Sequence, residues 1–189
     1  QENLSLLRNQ ETFATLWLIA LLIPIIKIAK KDDEIEKEEP SNSLRELLSK
    51  TFSTTACGCF AGILSYFSRK NFFSELVGDY NRIIGPLASR INDSVALFID
   101  NVDECFDAQR EMWYSAQFAL VSAVYKAVRL NPKFKIYVSI RKEAFLKFQS
   151  MTSMSLQYEG VSLVINYSKG ELRDIYDKNI RVEKSRCMI

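Results

Sequence analysis

Histidine is absent from this chain. That removes imidazole general acid–base catalysis, Ser-His and Cys-His nucleophile pairs, and the zinc sets that include His. Cysteine is scarce, with 4 residues, at positions 57, 59, 105 and 187. The Cys57-Gly58-Cys59 pair lacks the two-residue spacing of a zinc knuckle or a dithiol redox motif. Sparse, unpatterned thiols are expected to be reduced and structural, which points to an intracellular, cytoplasmic setting. An excess of one charge is missing too. The 25 basic residues face 23 acidic ones, a net charge of +2. Such a balance gives no direct sign of nucleic-acid binding.

Long apolar runs are nearly absent. The one candidate is FATLWLIALLIPII at 13–26. It is shorter than the ~20 residues that span a bilayer, and Pro24 interrupts it. No basic leader or small-residue cleavage site marks it as a secretory signal. The run is expected to be a buried helix packed against a sheet, and a membrane role is the minor alternative. What remains is ordinary for a globular domain: 189 residues, 48% hydrophobic and 25% charged. The chain opens on Gln1 rather than Met, so a fragment, a processed form or part of a longer protein is expected.

Past the apolar run, KIAKKDDEIEKEEPSNS (27–43) is a dense mixed-charge segment, expected to be a solvated helix end and a mobile loop. SNSLRELL offers Ser41 or Ser43 as a helix cap, with Glu46 spaced for a capping box with Ser43. Residues 53–67 are small and apolar, and suit a helix or irregular packing. Residues 72–91 carry helical spacing weakened by Gly78, Gly85 and Pro86.

A clearer pattern starts at 95. VALFID (95–100) and KIYVSI (135–140) read as apolar strands, with SLVIN (162–166) as a third. Between the first two lies an amphipathic helix over 108–130, with Trp113, Ala116, Leu120, Val121, Val124, Tyr125 and Val128 along one side. Asn131-Pro132 stops it. RKEAFLKFQ reads as a short helix. Ser168 is placed to cap YSKGELRDIYDKNI, with Leu172, Ile175, Tyr176 and Ile180 inward. Alternating strands and helices predict parallel βαβ units, an α/β fold. Strands apolar along their length predict a sheet covered on both faces.

The chemistry concentrates in VALFIDNVDECFD (95–107), where an apolar strand runs into Asp100, Asp103, Glu104 and Asp107. Like charges this close need a cation or water among them. In parallel α/β sheets, ligands bind at the carboxyl ends of the strands. Asp100 stands at such an end, where a hard oxygen can hold Mg²⁺ directly or through water. An acid further along the loop can orient or deprotonate an attacking water. The bland alternative is a helix N-terminus favouring acids through its dipole. Arg141 leaves the next strand end and can reach a terminal phosphate. Acids and Arg together, one helix apart, favour a nucleotide site.

FIDNVDE (98–104) resembles the Walker B segment of STAND-type and AAA+-type P-loop ATPases. WYSAQFALVSAVYKAV, KFKIYVSIRKEAF, ETFATLWLIALL and YSKGELRDIYDKNI resemble other stretches of bacterial members of antiviral-defence type. The resemblance covers roughly 10–30 weakly and 72–181 better. It implies a three-layer P-loop NTPase-like core, a parallel sheet flanked by helices, over 1–181, with 182–189 as a tail. By position it makes Asp100 the Mg²⁺-associated acid and Glu104 the water-activating acid, supported by Asp103. Asn101, Ser139 and Arg141 stand on the nucleotide side, with Arg141 at the sensor position. ATP and Mg²⁺ are the implied cofactors. The chain departs from the family in having no GxxxxGK[ST]; TFSTTACGCFAG lacks the Lys and the Gly spacing. That element is expected before Gln1, which would leave this segment alone inactive. The expectation is an ATPase switch domain of a larger, prokaryotic defence or signalling protein, with self-association or an effector partner. The alternatives are a non-catalytic interaction module on the same core, with Trp113, Tyr114 and exposed aromatics as its surface, and a membrane-associated protein anchored through 13–26.

Overall fold

In the computed structural model, residues 9–49, 55–100, 102, 110–151, 168–171 and 173 are described. Contacts divide the chain into two compact units, Gln1–Met151 and Thr152–Ile189. The first unit is mostly helical around a small parallel β-pair, an α/β arrangement.

Helix α1, Gln10–Ile28, is the spine of that unit. Asn9 caps it, its side chain accepting the Glu11 N–H at 2.9 Å. It is long and apolar enough to cross a bilayer by length and composition. Its side chains are nonetheless spent on the protein's own core. Leu16, Trp17 and Ile19 through Ile23 are fully buried, as a helix apolar on every side requires. The helix is buried as expected, but it packs chiefly on the helices Ala56–Tyr66 and Arg110–Leu130 rather than against a sheet.

The segment 27–43 differs from the expected loop. It holds a short helix α2, Asp32–Lys37, that buries Ile35 completely. One isoleucine among charges suffices to pin a six-residue turn to the core. Asp79, almost fully buried, secures the stretch from Glu38 to Ser41. Its carboxylate accepts the Ser41 N–H at 3.0 Å and the Arg82 guanidinium at 3.1 Å. Arg82 also donates to the carbonyls of Glu38 and Glu39, so Glu39 is held at φ 51°.

Helix α3, Asn42–Ser49, is capped by Ser41, whose Oγ accepts the Leu44 N–H at 3.2 Å. The Ser43–Glu46 capping box does not form. Ser43 donates to Glu75, and Glu46 pairs with Arg69. Helix α4, Ala56–Tyr66, starts at Thr55, whose Oγ1 accepts the Gly58 N–H. Its Phe60 ring stacks on Trp17 at 3.7 Å between centroids.

Residues 72–89 stay helical through their glycines and proline. Helix α5, Phe72–Asp79, widens into a π turn, Tyr80–Ile84, and returns as α6, Gly85–Ser89. The wider turn explains how Pro86 is accepted. It displaces the carbonyls that a proline ring strikes in a regular helix. Gly85 suits the turn, because a Cβ there would lie a tight 3.1 Å from the Tyr80 carbonyl oxygen.

Strand β1, Val95–Ile99, pairs in parallel with β2, Phe134–Val138, across helix α7, Arg110–Leu130. Helix α8, Lys142–Met151, comes next. Helix α7 packs along α1, and among its described side chains Ala116, Gln117, Ala119, Leu120, Ala123 and Ala127 are buried, Trp113 lying outside them. That face is rotated from the expected one: Val121, Val124, Tyr125 and Val128 are only half-buried. Alanines let the axis of α7 approach a helix already full of large side chains. The wider valines sit at the flanks.

The sheet also departs from expectation. Val95, Ile99 and Phe134 are buried on one face, whereas Ala96, Phe98, Lys135 and Tyr137 are exposed on the other. Strand alternation puts each set on its own side. The expected third strand at 162–166 and the boundary at 181 lie outside the described residues. In the second unit, Ser168 and Glu171 form a reciprocal cap. Ser168 Oγ accepts the Glu171 N–H at 3.2 Å, and Glu171 accepts the Ser168 N–H at 2.7 Å. These bonds hold the Glu171 carboxyl below its ordinary range.

Candidate functional site at the strand ends

The parallel register sets two chain exits side by side. Ile99 pairs with Val138, so Asp100 leaves β1 beside Ser139, which leaves β2. The Ser139 N–H continues the ladder to the Ile99 carbonyl at 2.9 Å. Asp100 and Ser139 are both exposed, as strand-end ligands must be. Two residues on, exposed Arg141 opens α8, its carbonyl accepting the Phe145 N–H at 3.1 Å. The candidate acid and the candidate phosphate-side residues therefore meet on one edge.

Two supports of this edge carry no motif. Gln117 is 1% exposed on the otherwise apolar face of α7, and its Oε1 accepts the Arg141 N–H at 3.2 Å. The one signal for it was a polar residue between Ala116 and Ala119 at core positions. Asn131, 4% exposed, staples the opposite end. Its Nδ2 donates to the Ala88 and Ile91 carbonyls at 3.0 and 2.9 Å, and its Oδ1 accepts the Lys133 N–H at 3.0 Å. Its sequence signature as a helix stop revealed none of these bonds.

The start of α4 also comes to this edge. Cys57, in its first turn, has its Sγ 4.0 Å from the Asp100 carbonyl oxygen. Cys59, two residues on, is fully buried, and burial pushes its thiol up to about 12. That is a structural thiol, as expected from its sequence setting.

Asn101, Asp103 and Glu104 lie outside the described residues. Val102 between them is described: it is 1% exposed and belongs to the core. Among the described residues, no three of His, Cys, Asp and Glu converge on a metal position. Asp100 offers one exposed hard-oxygen donor. That chemistry fits Mg²⁺, which keeps several waters and takes one or two protein carboxylates plus phosphate oxygens. A surface cleft of about 280 Å³ sets Lys37, Arg82 and Arg90 against Glu34 and Glu38, and among the described residues it takes none from the strand ends.

Comparison with protein-family models, curated proteins and solved structures finds no match for this chain.

Proposed function

We propose that this chain is the core of a Mg²⁺–ATP-dependent regulatory switch, a STAND/AAA+-like P-loop ATPase domain of a larger cytoplasmic protein. Its finer architecture would be the three-layer sheet-and-helix core of that class. The observation that supports this most is the register that sets Asp100 beside Ser139, two residues from Arg141, at one carboxyl edge. In parallel sheets that edge is where ligands bind. Asp100 would hold Mg²⁺, which neutralises phosphate charge when bound. Glu104, supported by Asp103, would orient the attacking water and take its proton. Asn101 and Ser139 would line the nucleotide, and Arg141 would meet its terminal phosphate, a contact suited to a guanidinium. Gln117 would position the Arg141 backbone from behind. Self-association or an effector partner would read the nucleotide state.

The phosphate cradle of a Walker A loop is not among these 189 residues. The test therefore uses the full-length protein. Glu104→Gln should retain ATP binding and lose hydrolysis by roughly 10²–10⁴-fold, the range for a positioned acid–base group. Hydrolysis unchanged by Glu104→Gln removes Glu104 from the assignment.

A further inference from the structure

Residues 30–39 are bent at both ends on positive-φ backbone. Lys30 follows α1 at φ 53°, and Glu39 follows α2 at φ 51°. A Cβ crowds the neighbouring carbonyl in that conformation, so each residue stores strain. After α1 the bend is closed locally. The Lys30 N–H donates to the Lys27 carbonyl at 2.9 Å and the Lys31 N–H to the Ile26 carbonyl at 3.0 Å, the paired bonds that finish a helix. After α2 the same closure is incomplete. The Glu39 N–H reaches the Glu36 carbonyl at 3.3 Å, but the next residue is Pro40, which has no N–H for the second bond. Arg82 holds this end from the π turn instead, through the Glu38 and Glu39 carbonyls. Little else fastens the segment. Among its described side chains only Ile35 is buried. The Lys31–Glu34 pair, at 2.6 Å, is open to water, where an ion pair contributes little.

We propose that residues 30–39 are a strap that lifts from an otherwise folded unit, with Arg82 as its latch and Lys30 and Glu39 as its hinges. Segments that bury few apolar side chains open at a small fraction of the global cost. Opening gives up one buried side chain and the two latch bonds, and it releases both strained residues. The core keeps its packing, because α1 is buried against α4 and α7. The strap also forms one wall of the cleft of about 280 Å³, where Lys37 and Glu38 face Ile83, Leu87 and Arg90. Lifting it opens that cleft, uncovers the seat of Ile35 and releases the Arg82 guanidinium from both carbonyls. The open state therefore presents an apolar floor beside an unlatched cation, a surface that the closed state withholds.

The proposal does not rest on the nucleotide reading, and its test omits nucleotide, so either can fail alone. Hydrogen exchange of the full-length protein, read by mass spectrometry, compares residues 30–39 with 16–23 of α1. The strap should exchange about 100-fold faster or more, at a rate that dilute urea changes by less than about two-fold, since local opening exposes little surface. Arg82→Gln should speed strap exchange roughly ten-fold or more while 16–23 stay protected. Glu39→Gly removes the strain at one hinge and should slow strap exchange several-fold. That variant carries the test alone if Arg82→Gln does not fold. Strap exchange that matches 16–23, or that climbs with urea as steeply, overturns the proposal. So does an Arg82→Gln variant that folds and leaves the strap unchanged or loosens 16–23 equally, or a Glu39→Gly variant that opens faster.

Discussion

Replacing Asn131 with Ala tests what sets the starts of the two strands side by side. The side chain spans three points: the end of α6 at Ala88, the adjoining turn at Ile91, and the entry to β2 at Lys133. The Val95 N–H in turn bonds the Lys133 carbonyl, so β1 starts from the same knot. Each internal hydrogen bond contributes about 1 kcal/mol net, and an unsatisfied buried carbonyl costs about 1–3 kcal/mol. The Ala88 carbonyl keeps the Ile91 N–H at 3.3 Å, so the Ile91 carbonyl carries the larger loss. Together these give a loss of about 2–4 kcal/mol. That is a large part of a total stability of about 5–15 kcal/mol. For a chain of this size it lowers Tm by roughly 5–15 °C. Asn131→Asp should cost more at neutral pH, because it sets a carboxylate against two carbonyl oxygens. Urea unfolding monitored by circular dichroism gives both values. A loss below about 1 kcal/mol for Asn131→Ala, or Asp tolerated better than Ala, refutes the role assigned to this side chain.

The packing sets further outcomes. Ala123→Leu on α7 should destabilise by about 1–3 kcal/mol, because the site faces a close-packed helix with no room for added methylenes; chemical denaturation reads it. Phe60→Ala should cost about 3–5 kcal/mol in the same assay, having removed the ring stacked on Trp17. Cys59 has a folded-state pKa raised by burial from 9.0 to about 12. Its contribution to stability is fully present below pH 9 and lost as pH rises towards 12, where the unfolded thiol ionises first. The fall in urea midpoint over that window should therefore be smaller in Cys59→Ala than in the wild type. Equal slopes would show that Cys59 does not titrate as its burial requires.

The strands and the helix between them were legible because their signals are local. Val95–Ile99 and Phe134–Val138 are short apolar runs bounded by polar residues, and Asn131-Pro132 ends α7 in any context. Burial of α7 was not local. Its valines look like the core face, but against the bulk of α1 the buried positions are mostly alanines, with Leu120 and Gln117 among them. Tertiary packing overrode the amphipathic pattern. The charged segment failed for a similar reason, since Ile35 has no apolar neighbour in sequence and finds its partners only in space. Gly85 and Pro86 read as a break, yet a π turn absorbs both. At the candidate site, Asp100, Ser139 and Arg141 could be named from strand-end logic. Gln117 and Asn131 could not, because each acts through backbone groups distant in sequence.

The central claim is that the carboxyl edge of the β-pair is a Mg²⁺–nucleotide site with Asp100 as its metal-side acid. Titrating ATP into the full-length protein, with Mg²⁺ and with EDTA, tests it most directly. The wild type should bind ATP with a Mg²⁺-dependent gain in affinity, and Asp100→Asn should abolish that gain while Asp33→Asn leaves it intact. Binding that ignores Mg²⁺, or a gain that survives Asp100→Asn, contradicts the claim.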